Sequence, residues 1–94
     1  MSDLTESHVV LARLTDALFC SGLGIGESPT RRQLAAAVRQ ALTTHRTWNG
    51  CTRAVAAVFA KTPAEATRRE AWCRRLAEDA LDAADLRIDT SWLA

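Results

Sequence analysis

Ninety-four residues, 24% of them charged and 48% hydrophobic, supply enough apolar material for one core and too little length for two. That balance excludes a disordered chain, and the longest apolar run, Ala54–Ala60, falls far short of the roughly 20 residues of a membrane span. The N-terminus is acidic where a secretory leader is basic. Cys20, Cys51 and Cys73 are widely spaced with no C-x-x-C, a poor disulfide framework, so a cytoplasmic protein with reduced thiols is expected.

In chain order, Asp3 with Glu6 has the form of a capping box and starts a first helix near residue 4. At about 100° per residue, Leu4, Leu11, Leu14 and Leu18 share one face, with Val10 and Ala17 beside them, as in an ordinary core stripe. The opposite face should be polar, yet it carries Val9, Ala12, Phe19 and Cys20, interrupted mainly by Asp16. A helix apolar on two faces is either central in its own bundle or covered by another chain. The helix ends near residue 21, where Gly22 is suited to a left-handed C′ position and Leu23 to the apolar contact of a Schellman end.

Ser28–Pro29 has the pattern of an N-cap followed by a first-turn proline, which opens a second helix over about 29–44. Leu34, Ala35, Val38, Ala41 and Leu42 form its inner face, while Arg32, Arg39 and Gln40 turn outward. The β-branched and polar stretch 43–50 reads as the connection to a third helix over 49–61, capped by Thr47 or Asn49 and lined by Cys51, Ala54, Val55, Val58 and Phe59. Thr62-Pro63-Ala64-Glu65 has the form of a capping box for a fourth helix over 63–84. Its inner face is Ala66, Cys73, Leu76, Ala77, Ala80, Leu81 and Ala84, with Trp72 at the margin. Glu65 with Arg69 and Glu70 with Arg74 are i, i+4 pairs in the favourable order. Glu78, Asp79, Asp82 and Asp85 crowd the negative end of the helix dipole, with Arg74, Arg75 and the basic second helix available to offset them. The tail 86–94, with Trp92, has no clear period and is expected to dock back on the bundle.

Candidate chemistry is sparse. Gly22, Gly24 and Gly26 before Arg31–Arg32 resemble an anion loop in outline, but no strand precedes them and no Gly-Lys-Ser/Thr follows, so a helix connector is the favoured reading. The cysteines with His8 and His45 lack the paired spacing of zinc ligands, and no nucleophile falls beside a base. No catalytic set, metal site or cofactor is therefore expected.

Charge is strongly segregated. Residues 31–75 hold ten of the twelve basic side chains against Glu65 and Glu70, a net +8, while residues 1–30 carry −3 and residues 76–94 carry −4. The favoured reading is internal matching of acidic ends to a basic middle. The other is a polyanion footprint made by Arg31, Arg32, Arg39, Arg46 and Arg53, with Arg68, Arg69, Arg74 and Arg75 beyond and Trp48 as a stacking group.

The expected protein is a single all-α domain, a small four-helix bundle with short connections. Its expected function is that of a non-catalytic interaction or regulatory protein, homodimeric or bound to a protein partner through Val9, Ala12, Phe19, Cys20, Trp72 and Trp92. The alternative is a nucleic-acid-binding module using the basic region 31–75. No membrane association is expected. The tail around Trp92 is a third candidate cover for Phe19, within one chain.

Overall fold

A computed structural model of the chain describes residues 2–83, with side chains described from His8 to Asp82. Four helices follow in order: α1 (Ser2–Phe19), α2 (Arg31–His45), α3 (Trp48–Lys61) and α4 (Pro63–Ala83). The protein is a small all-α four-helix bundle. No helix among the described residues is long and apolar enough to cross a membrane. The tail 86–94 with Trp92 and the side chains of Asp3, Leu4, Glu6, Ala84 and Asp85 lie outside the described residues. α1 starts at Ser2, two residues before the expected start near residue 4, so Asp3 falls inside the helix and not at its N-cap.

α1 is the hub. It packs against α2, α3 and α4, most extensively against α4, whereas α2 and α4 barely meet. Leu14, Ala17 and Leu18 are fully buried, Thr15 and Phe19 nearly so, and Val10, Leu11 and Cys20 are half-buried. On a helical wheel the five buried residues cover about 200° of the circumference, twice the arc of an ordinary amphipathic stripe. Thr15 enters this core because its hydroxyl donates to the Leu11 carbonyl at 2.7 Å, so no polar group is left unpaired there. The second face of α1 is thus divided by position. Phe19 and Cys20 near the C-terminus are covered by the chain itself, while Val9 and Ala12 toward the N-terminus are exposed.

The end of α1 differs from the expected Schellman turn. Gly26, not Gly22, has positive φ. Ser21 N–H bonds to the Leu18 carbonyl at 3.1 Å, and the Ser21 hydroxyl donates to the same oxygen at 2.6 Å. Other carbonyls there are taken by a side chain of α4, which removes the need for a left-handed glycine. Leu23 does pack on the core, as expected.

α2 begins two residues later than Ser28–Pro29 implies. Thr30 is the N-cap: its hydroxyl accepts from Gln33 N–H at 3.1 Å while the Gln33 side chain accepts from Thr30 N–H at 2.7 Å. A cap at Ser28 would place Arg31, which cannot accept, at the third position, so only the Thr30 start satisfies two free N–H groups at once. The helix also runs further than expected, to His45, because the Thr43 hydroxyl bonds back to the Arg39 carbonyl and meets its polar demand inside the helix.

The connection expected over 43–50 shrinks to Arg46 and Thr47. Arg46 has φ 72° and ψ −36°, and Thr47 N–H closes a three-residue turn on the His45 carbonyl at 2.9 Å. Thr47 then caps α3 by accepting from Gly50 N–H at 2.9 Å. Gly50 is required by this corner: a Cβ there would lie 2.1 Å from the His45 carbonyl oxygen. Between α3 and α4 there is one residue, Thr62. Its carbonyl accepts the first bond of α4 from Ala66 N–H, but its hydroxyl points back to the Val58 carbonyl, so the hydroxyl half of the expected capping box is not made.

On α4, Ala66, Cys73, Ala77 and Ala80 are buried and Leu76 and Leu81 half-buried, the face the periodicity predicts. Trp72, expected at the margin, is 9% exposed and part of the core. Small side chains on this face let α4 lie close to α1, consistent with their extensive contact.

Candidate functional site

Arg69 falls on the buried stripe of α4, three residues after Ala66 and four before Cys73. Its guanidinium turns toward the C-terminal end of α1. Nε donates to the Phe19 carbonyl at 2.9 Å, Nη1 to Leu23 at 2.8 Å, and Nη2 to Ser21 at 3.0 Å and Leu18 at 3.4 Å. The last turn of α1 has no basic residue of its own, so this cation, delivered from another helix, meets the negative end of the α1 dipole. The expected Glu65–Arg69 pair is therefore replaced by a tertiary cap. Likewise Arg74 pairs with Glu78, 3.9 Å away, rather than with Glu70. That exposed pair places one arginine against the acidic end of α4 and is worth at most about 0.5 kcal/mol.

Arg69 also helps cover Phe19. Its guanidinium carbon is 5.5 Å from the Phe19 ring centre, and the Phe59 ring stacks nearly parallel to Phe19 at 6.1 Å. Phe19 is 6% exposed. Phe19 and Trp72 are thus removed from the surface on which a contact with another chain was expected to rest. Cys20 is half-buried, and among the described members of that set Val9, 40% exposed, and Ala12 remain open. Ala12, but not Val9, lines a groove of about 400 Å³ between α1 and α4, together with His8, Leu11, Glu70 and Arg74 among others. The other large exposed hydrophobics, Ile25 and Val58, lie on the connector and on α3.

The basic candidates are placed differently. Arg31, Arg32, Arg39, Arg46 and Arg53 are all exposed, as are Lys61, Arg68, Arg74 and Arg75. Among the described residues, Arg74 is the one basic side chain in an ion pair, so the expected matching of acidic ends to the basic middle is reduced there to the Arg74–Glu78 contact. Trp48 is half-buried at the start of α3, with the Arg13 guanidinium 6.0 Å from its ring centre. One face of that ring already has a cation-π partner. The glycine connector holds its own anion: Glu27 accepts from Gly24 N–H, and Glu27 N–H bonds to the Gly24 carbonyl at 3.1 Å.

All three cysteines are free thiols. Burial pushes the Cys20 thiol up to about 12, with the neighbouring Cys51 and Asp16 adding to the shift and Arg69 opposing it. Burial likewise pushes Cys73 up to about 11 and raises Cys51. Among the described residues, no three His, Cys, Asp or Glu side chains are grouped as metal ligands would be.

Spacing alone gives Arg69 a surface partner in Glu65 and a place in the polyanion footprint. The signal for its actual role was its register on the buried stripe. No protein-family model matches the chain, and no curated protein or solved structure was found to be similar to it.

Proposed function

We propose that this chain is a non-catalytic, cytoplasmic binding module that engages a polyanion, duplex nucleic acid foremost, through the basic side chains of α2 and of the α2–α3 corner. The observation that carries this reading is that Arg31, Arg32, Arg39, Arg46 and Arg53 are exposed while Arg74 alone, among the described basic residues of 31–75, is engaged by an acid. Charge held in water in this way attracts phosphate at long range and gains from counterion release. Burial of Phe19 and Trp72 takes away the apolar surface that favoured a protein partner, which shifts the balance between the two expectations toward charge. The cytoplasmic assignment is supported by the wide spacing of the three cysteines, all free thiols in this structure.

The test is binding to a short DNA duplex as a function of salt. Affinity should fall steeply as salt rises, and Arg31→Ala with Arg32→Ala should lower the slope of log affinity against log salt by about 2. Absence of binding at low salt would dispose of the reading. A second reading, contact with a protein partner, is favoured by one observation: on α1 Val9 is exposed and Ala12 stands open in the α1–α4 groove. It makes self-association depend on Val9, whereas the polyanion reading does not.

A further inference from the structure

Two of the three thiols meet at one point in the fold. Cys20 follows α1 and Cys51 lies in the first turn of α3, 31 residues later. The Cys20 thiol donates to the Cys51 carbonyl oxygen with Sγ 3.4 Å away, which brings the two cysteines together across α1 and α3. Their exposure differs. Cys51 is fully buried and its Sγ lies 3.9 Å from the Ala41 carbonyl, whereas Cys20 is half-exposed. The third, Cys73, is fully buried on α4 and is hydrogen-bonded to neither.

We infer that Cys20 and Cys51 are a disulfide-forming pair, oxidised by a low-molecular-weight disulfide such as oxidised glutathione, whose crosslink locks the end of α1 to the start of α3 around α2. The half-exposed Cys20 reacts first: its thiolate attacks one sulfur of the oxidised glutathione, and a glutathione thiolate leaves. Cys51, already beside it, then loses its proton, attacks the Cys20 sulfur of the mixed disulfide and expels the peptide half of the adduct as a second glutathione thiolate. The two protein thiols lose two electrons and two protons, and one oxidised glutathione becomes two reduced molecules. Proximity makes the second step intramolecular, so the adduct closes faster than it accumulates.

The position of the crosslink gives it a consequence. Residues 21–50, which include all of α2, would be closed into a loop between the two sulfurs. α2 is the helix that barely touches α4 and is held mainly by α1 and α3, the two elements the bond would join. It carries Arg31, Arg32 and Arg39, so oxidation would fix the mount of these basic side chains. The inference stands on the thiol geometry and does not depend on what those side chains bind.

The experiment is incubation of the intact chain with oxidised glutathione at mildly alkaline pH, followed by intact mass and non-reducing peptide mapping. The expected product has lost two hydrogens and carries a Cys20–Cys51 bond with Cys73 free. Its Tm should rise by on the order of 10 °C and return on reduction with dithiothreitol. Cys51→Ser should instead stop at one stable glutathione per chain, on Cys20, and Cys73→Ser should behave as the parent. A stable glutathione adduct on Cys20 in the parent chain would overturn the inference. So would a bond that uses Cys73, or a native chain that stays fully reduced while the urea-unfolded chain reacts.

Discussion

A charged residue on the buried stripe of a helix must bring its own acceptors or go without, and Arg69 meets that demand with four backbone carbonyls at the end of α1. Its planar fork matches several oxygens at once, which an ammonium cannot do. Arg69→Gln is therefore expected to lower stability by about 2–3 kcal/mol, and Arg69→Lys to recover only part of it, as read from urea unfolding. A loss within about 0.5 kcal/mol, the usual range for a surface arginine, would contradict the cap. At this scale the sequence was partly legible. The apolar stripe of α1 and the excess of Phe19 and Cys20 over it could be read from spacing alone. What covers Phe19 could not, because Phe59 and Arg69 reach it from other helices, and Arg69 had an equally plausible local partner in Glu65.

Among the elements, the existence of all four helices and most of their inner faces were legible, because each carries a 3.6-residue period and a cap or breaker near its ends, but Val58, expected on the inner face of α3, is 38% exposed, and only Cys51 and Val55 of that face are buried. The boundaries were less so. Ser28–Pro29 and Thr30-x-x-Gln33 are competing starts two residues apart, and the reciprocal hydrogen bonds that decide between them depend on what the third residue can accept. The α2–α3 corner was hidden for another reason. The stretch 43–50 has poor helix propensity, which tertiary packing overrode, and only the approach of two backbones shows why Gly50 stands there. Gly50→Ala places a methyl group against the His45 carbonyl, backbone that cannot rotate away. It is expected to reduce stability by about 2–3 kcal/mol in chemical unfolding, although alanine is the better helix former. A neutral or stabilising outcome would mean that the corner is not built this way.

For the whole molecule, a hub helix explains why α1 is buried over about 200° of its circumference without needing a second chain. Three partners surround it, and the least supported of them, α2, carries much of the exposed positive charge. The segregation of charge was legible in the sequence, but whether it was matched internally was not, since that depends on which helix ends lie together. Among the described residues the matching amounts to one exposed pair, Arg74 with Glu78. The polyanion proposal grows from that difference.

The central claim is that Phe19 is covered by its own chain. Urea unfolding of the parent and of Phe19→Leu at protein concentrations spanning at least two decades tests it directly. The account predicts a loss of about 1–2 kcal/mol from the altered core packing, with a midpoint that does not move with concentration in either protein. A parent midpoint that climbs with concentration, together with a Phe19→Leu midpoint that does not, would place the cover on a second chain and contradict the account.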